Sequence, residues 1–258
     1  MDRIALISDI HGNIPALEAT LDDIRRRNIT RIFCLGDLVG KGPHSAQAVD
    51  ICREACEITV KGNWDDIMLG VKDSPHVQWH QQELGRARLD YLASLPHTIE
   101  FVMSGRQVRL FHASQQSIYH RVHMNDTYDK HLAMFTNTAF TGHTSAPDVV
   151  GYGDIHSAYL KSFRQRTLFN VGSVGNPLDI TQASYAILEG TYGRSTVDSF
   201  SIQLIRVPYD IELAIRQAEA AQMPDLDAYA DELRTSRYRG AKAPAAAIES
   251  PTPLAAAE

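Results

Sequence analysis

Apolar residues near the start of the chain alternate between two textures. Residues 3–8 (Arg-Ile-Ala-Leu-Ile-Ser) form a short β-forming run, too short for a helix, that reads as a buried strand of parallel type. Residues 14–27 place Ile14, Leu17, Leu21 and Ile24 at helical spacing, with Arg25, Arg26 and Arg27 where cations suit a helix carboxyl end. Strand-like runs follow at 31–35 and 57–60, with a helix between them at 44–56. Such alternation predicts an α/β sheet with helices on its faces. Residues 78–94 read as another helix, stopped by Pro96. From residue 97 the pattern shifts to paired strands, 97–103 and 106–112, around Ser104-Gly105. Further strands are predicted at 138–141, 148–152, 157–161, 167–171, 184–189 and 197–206, and helices at 127–135, 209–221 and 225–238. A parallel half followed by a more antiparallel half, one domain over residues 1–238, fits a two-sheet α/β/β/α sandwich. Residues 239–258 are rich in Ala and Pro and poor in apolar bulk, and are expected to be a disordered tail.

Composition narrows the function. At 258 residues and 44% hydrophobic, the chain can bury a sizeable core without cross-links. A net charge of −6 argues against a general nucleic-acid surface while leaving room for a local basic site for phosphate. The three cysteines are odd in number and form no Cys-x-x-Cys pair, which speaks against a disulfide framework and for a reducing compartment. No charged leader precedes the first strand, and no apolar run approaches the roughly 18 residues of a membrane span. A cytoplasmic protein without membrane partners is expected.

The chemistry gathers where the predicted strands end. Those ends read Asp9-Ile10-His11-Gly12, Gly36-Asp37-Leu38, Gly62-Asn63-Trp64-Asp65, His112-Ala113 and Gly142-His143. In open α/β sheets ligands bind at the carboxyl ends of strands, and each of these five ends carries a metal-ligand residue type. An aspartate after a strand is usually a turn former or cap, and a lone histidine is usually a core or surface residue. The ordered set reverses that judgement. Phosphate-ester hydrolysis at neutral pH calls for a hydroxide nucleophile and for charge neutralisation, and two divalent ions supply both. Carboxylates can bridge ions, while imidazole and amide oxygens complete their shells. The Gly36–Pro43 stretch lacks Gly-Lys-(Ser/Thr), so it is not a P-loop.

Asp9-x-His11, Gly36-Asp37, Gly62-Asn63, His112 and Gly142-His143 resemble, in order, the signature of the calcineurin-like metallophosphoesterase superfamily. The resemblance runs from residue 3 to about 190 and includes Asn170-Val171-Gly172-Ser173-Val174-Gly175-Asn176-Pro177, similar to a late motif of small bacterial members. It implies a metallophosphoesterase-type sandwich and two divalent ions (Mn favoured over Fe, Zn or Ni). The expected activity is hydrolysis of phosphomonoesters or phosphodiesters by a metal-activated water, with a small phosphorylated molecule or a phosphoprotein as partner. A dinucleoside polyphosphate is a further substrate candidate, and a weakly catalytic phosphate-binding scaffold is the alternative. Carried over residue by residue, Asp9 and His11 hold the first ion, Asp37 bridges, and Asn63, His112 and His143 hold the second. Asp9, His11, Asp37 and Asn63 are the expected catalytic set, and Lys41, Asn63, His112 and Arg121 the expected substrate contacts.

Two departures from the family pattern matter. Its last motif often carries a second histidine, and here that position is Ser145, which leaves the first ion three protein ligands; His156 is the candidate substitute. Trp64 stands where many members carry a histidine that protonates the leaving group, a task indole cannot perform. Asp65 is the nearest acid, and an ordinary solvated aspartate is its plainer reading. Good leaving groups should therefore be favoured. Lys41 is weighed as a phosphate contact against a solvated loop lysine, His120 and Arg121 as cleft residues, and Ser173 as a hydrogen-bonding support.

Overall fold

Side chains of the first strand divide between two cores. In β1 (Asp2–Ile7), Ile4 and Leu6 join one apolar cluster, and Ala5 and Ile7 join another, as period-two geometry requires. The structure is a computed structural model and describes residues 1–71 and 73–240. After β1 come α1 (Ile14–Arg26), β2 (Arg31–Cys34), α2 (Ser45–Ala55), β3 (Ile58–Thr59), α3 (Asn63–Ile67) and α4 (Pro75–Ser94). A second sheet is built from β4 (Thr98–Met103), β5 (Arg106–Phe111), β6 (Val149–Tyr152), β7 (Tyr159–Phe163) and β8 (Arg166–Asn170), with α5 (Tyr128–Ala133) inserted between β5 and β6. The chain then returns to the first sheet through β9 (Ala183–Gly190) and β10 (Ser201–Val207), and ends in α6 (Ile211–Ala220) and α7 (Leu226–Thr235).

The cluster holding Ile4, Leu6 and Phe33 also contains Phe101, Val108, Leu110 and Phe169, so it is the layer between the sheets. The cluster holding Ile7 and Cys34 takes in Leu17, Val49 and Leu84 from the helices covering the first sheet. A third cluster packs Met134 and Phe135 against Phe111, Tyr152 and Leu168 on the far face of the second sheet. Four layers result, α/β/β/α, as the sequence predicts. Among the described residues no helix is long and apolar enough to cross a membrane.

Strand order is β10-β9-β1-β2-β3 in one sheet and β4-β5-β6-β8-β7 in the other. β1, β2 and β3 run parallel, and so do β5, β6 and β8. The second half is the more antiparallel one, as its texture suggests: β4–β5, β7–β8 and β9–β10 are antiparallel and β9 runs antiparallel to β1, while β5, β6 and β8 form a parallel centre to the second sheet. The long stretch between β5 and β6, with α5 in it, allows the parallel return. Six parallel strands thus carry their carboxyl ends to one region.

Residues 138–141 do not form the expected strand. The Thr138 hydroxyl accepts the N–H groups of Phe140 and Thr141 and donates to the Gln115 carbonyl. A hydroxyl that satisfies nearby backbone competes with a ladder, and the segment closes as a turn through a lone bridge between Thr138 and Gly142. In α4 the helix breaks at Gly85, whose φ of 65° falls where a side chain is disfavoured. The first half, with His76 and His80, thereby takes its own direction.

Candidate metal centre

The site begins where β1 and β2 end. Asp9, His11 and Asp37 all take left-handed backbone, with φ of 54°, 50° and 55°. Three backbone hydrogen bonds lace the two ends together: Asp9 N–H to Gly36 O, and the Ile10 and His11 N–H groups to Asp37 O. The Asp65 carboxylate closes the assembly by accepting the N–H groups of Asp37, Leu38 and Gly62 at 2.8–2.9 Å. Asp65 is thus fully buried and committed to backbone, unlike the solvated residue expected, and it orients the Asp37 loop. Asp37 Oδ1 in turn accepts the Trp64 N–H at 2.8 Å, where α3 starts. Only glycine fits at 62, because a Cβ there would lie 2.1 Å from Asp37 Oδ1.

The second sheet contributes from β5 and β6. His112 follows β5, and its Nε2 lies 3.5 Å from Asp37 Oδ1 and 2.9 Å from Asn63 Oδ1. β6 runs into Gly153-Asp154-Ile155-His156, which repeats the tripeptide Asp-Ile-His of residues 9–11 and its backbone, with φ of 65° at Asp154 and 58° at His156. The two tripeptides meet: His156 Nε2 is 3.2 Å from both His11 Nε2 and Asp9 Oδ1. Asp154 Oδ1 lies 3.8 Å from His112 Nε2, and the Asp154 N–H donates to Asp9 Oδ2.

Two groups of buried donors result, Asp9–His11–His156 and Asp9–Asp37–His112. Asp37 spans them, Oδ2 lying 3.6 Å from His11 Nε2 while Oδ1 faces His112. His143 belongs to neither group and is exposed. Its loop is tied to the side of the second sheet, where buried Arg109 donates to Asn137 Oδ1 and Thr144 Oγ1, and Thr144 donates to Glu100. The structure therefore brings together Asp9, His11, Asp37, Asn63 and His112 of the expected ligands, leaves out His143, and adds Asp154 and His156.

The donor set suits divalent ions. His11, His112 and His156 each donate Nδ1–H to a backbone carbonyl, those of Val39, Leu35 and Asn176, at 3.0, 2.8 and 2.5 Å. That bond turns Nε2 inward and, in the neutral ring, fixes the tautomer that presents its lone pair there. The Nε2 atoms of His11 and His156 then face each other across 3.2 Å, an approach that a cation bound by both would convert into shared coordination. Asp9 Oδ1 is buried and, despite its nearness to His156, makes no hydrogen bond. Neighbouring donors around an ion with bonds of about 2.1 Å stand roughly 3 Å apart, close to the spacings found.

The buried charges of the centre act on one another. Burial, Asp9 and Asp65 push the Asp37 carboxyl well above its ordinary range. Burial pulls on His112 in the opposite sense to Asp37, Asp9 and Asp154, and the carboxylates win, raising it to about 9. Burial, Lys41 and His156 hold His11 well below the usual imidazole value.

A cleft of about 430 Å³ opens beside the centre, with Asp37, Asp154 and His156 on its floor. Three cations line it: Lys41, Arg121 and Arg239. Arg121 grips Asp154 bidentately at 2.9 and 3.0 Å; His120 beside it does not line the cleft. Lys41 Nζ donates to Asn176 Oδ1 at 2.7 Å, so it is fixed in place rather than solvated. Burial pulls this ammonium down to about 8, the Glu232 carboxylate opposing the shift and Arg239 adding to it. Ser173 donates to Asp9 O and accepts the Asn176 N–H, the supporting role expected of it. Asn176 is the hub of the late motif: its carbonyl orients His156, its Oδ1 holds Lys41, and its Nδ2 reaches Glu232.

Asp154, Asn176, Glu232 and Arg239 carry no role in the sequence reading. Asp154 was within reach, since Asp-x-His after the predicted strand 148–152 repeats the spacing of Asp9 and His11. Glu232 and Arg239 give no local signal. The expected domain boundary at 238 falls one residue short of Arg239, while residues 241–258 of the expected tail lie outside the described residues.

The calcineurin-like phosphoesterase superfamily domain matches residues 2–192. The uncharacterized protein MJ0912 of Methanocaldococcus jannaschii is 33% identical over 236 residues, 86% of this chain and 94% of that protein. A metallophosphoesterase from Sphaerobacter thermophilus superposes with a TM-score of 0.72 at 24% identity, covering 91% of this chain and 99% of its own. The hypothetical protein PH1004 of Pyrococcus horikoshii gives 0.73 at 16% identity, over 94% and 100%. With the domain match spanning most of the chain and both groups of buried donors built at its strand ends, the protein belongs to the calcineurin-like phosphoesterase superfamily.

Proposed function

We propose that the protein is a phosphoesterase working with two divalent ions, Mn²⁺ favoured, on a small phosphorylated substrate or a phosphoprotein. The observation that carries this reading is the inward turn of three histidine Nε2 atoms, each fixed by a backbone carbonyl, onto Asp9 and Asp37 beside a cation-lined cleft. Asp9, His11 and His156 would hold one ion, His112 and Asn63 the other, and Asp37 would bridge; Asp154 stands beside His112. Bound divalent ions lower the pKa of coordinated water and neutralise phosphoryl charge. The chain's own residues do the rest. Arg121, held by Asp154, and Lys41, held by Asn176, draw the phosphoryl group to the centre and orient it. Trp64 walls the cleft beside His11, their ring centroids 6.0 Å apart and edge to face, and shields that side from water.

The test combines metal analysis with hydrolysis of p-nitrophenyl and bis-p-nitrophenyl phosphate, with Mn²⁺ and with chelator. Two ions per chain, chelator-sensitive turnover and a loss of at least a hundredfold in Asp37→Asn are expected, on the order of one removed electrostatic contact to the reacting group. Saturable phosphate binding with no turnover under any metal would overturn the enzyme reading in favour of a phosphate-recognition scaffold, and the monoester-to-diester ratio assigns the substrate type.

A further inference from the structure

One wall of the cleft comes from outside the matched domain. Residues 2–192 carry the family match, yet Asp225, Tyr238 and Arg239 line the cleft. The C-terminal helices reach it by packing. Ile215, Ala218, Tyr229 and Leu233 form their own apolar cluster, and the Tyr229 hydroxyl would touch a Cβ on Gly42 at 3.0 Å, next to Lys41. At the end of α7, Ser236 takes left-handed backbone with φ of 57° and donates its N–H to Glu232 O. This reversal brings Arg239 back along the helix, where its backbone N–H, Nε and Nη2 all meet the Glu232 carboxylate at 2.8–3.0 Å.

Glu232 is fully buried, which is unusual for a carboxylate unless it is paired. It serves Arg239 on one side and, through Asn176 Nδ2 at 3.2 Å, the Lys41–Asn176 pair on the other. A single buried carboxylate thus braces two cations toward one cavity. The Nη1 edge of Arg239 has no acceptor among the described residues, and about three-tenths of the side chain is exposed to the cleft side. Asn176 carries Lys41 on its Oδ1, His156 of the metal centre on its carbonyl and Glu232 on its Nδ2, so Lys41 is joined through one residue to the centre and to the carboxylate that holds Arg239. Arg121 is bonded to Asp154 of the centre itself, whereas Arg239 connects to it through Glu232 and Asn176.

The geometry points to a second anion subsite, made by Lys41 and Arg239 on the Asn176–Glu232 brace, that takes a phosphate one or two positions beyond the one hydrolysed. The substrate class is then a phosphoanhydride or oligophosphate rather than a simple monoester. This rests on the phosphoesterase reading for the hydrolytic centre, but Arg239 and Glu232 of the subsite come from outside the matched domain. An arginine fork held by a carboxylate keeps its outer N–H groups pre-organised for phosphate oxygens.

Calorimetric titration of the full chain with inorganic orthophosphate and inorganic tripolyphosphate, metal-loaded and after chelation, tests it. Tripolyphosphate should bind at least tenfold more tightly than orthophosphate in both states. Arg239→Gln should cut tripolyphosphate affinity about tenfold while orthophosphate changes less than twofold. Should that variant unfold because Glu232 is left buried, the neutral pair Glu232→Gln with Arg239→Gln keeps the brace uncharged and should show the same selective loss. Equal weakening of both anions, or no change in either, would overturn the subsite. Absent turnover with the tripolyphosphate preference intact would instead overturn the hydrolytic reading alone, so the two failures are told apart.

Discussion

At the scale of the residue, the sharpest contrast is between His143 and His156. Both follow a glycine-containing run, but only His156 turns its Nε2 into the centre, 3.2 Å from Asp9 and from His11. His156→Ala should therefore lower bound metal by about one ion per chain, while His143→Ala leaves it unchanged; elemental analysis of the purified variants decides. Loss of metal in His143→Ala with His156→Ala unaffected would restore the family-based assignment. Lys41 gives a pH signature. Its ammonium is brought down to about 8, so the cation is present below that pH and lost as pH rises through it. Only the charged form attracts phosphate, so KM for p-nitrophenyl phosphate should climb above about pH 8. Lys41→Arg, a cation throughout this range, should abolish the climb; an unchanged profile would remove Lys41 from substrate binding.

At the scale of the element, the strand ends were readable where local chemistry is self-contained. β1, β2 and β3 are short β-forming runs, each followed two or three residues later by an Asp or Gly that favours a turn, and their ligand residues stand there. Thr138-Ala139-Phe140-Thr141 has the same local appearance, yet its fate depends on a hydroxyl that reaches Gln115, 23 residues earlier. α3 is too short for a periodic signal and exists because Asp65 and Asp37 accept N–H groups at its start. Asp65 shows how much rests on such a bond set. Asp65→Ala strands three buried backbone N–H groups at a cost of about 1–3 kcal/mol each, so a loss of at least about 3 kcal/mol is expected in denaturant unfolding. A change under roughly 1 kcal/mol would mean that water or a relaxed loop replaces the carboxylate. Pairings that join distant parts of the chain, such as Asp154 with Arg121 or Glu232 with Asn176, leave no trace in a periodicity.

At the scale of the whole molecule, the centre lies across the junction of the two sheets. Asp9, His11, Asp37 and Asn63 follow strands of the first sheet, and His112, Asp154 and His156 follow strands of the second. Ions held there would tie the sheets together at an edge where the apolar interlayer gives way to buried polar groups. The site's own groups oppose one another, with Asp37 raised by burial and by Asp9 and Asp65, and the Nε2 atoms of His11 and His156 face to face. A ligand that binds only the folded state stabilises it by about 2.7 kcal/mol at a hundredfold excess over Kd. For a chain of this size each kcal/mol moves Tm by roughly 2–4 °C, so chelation should lower Tm by roughly 5–10 °C. Asp37→Asn should lose most of that dependence, because the residue facing both histidine groups no longer carries charge. Hydrogen exchange locates the effect: chelation should speed exchange in the loops after β1, β2, β5 and β6 and leave the β9–β10 hairpin unchanged. Uniform loosening would point instead to a general salt effect, and an unaltered Tm would mean that the apolar layer between the sheets holds the junction without metal.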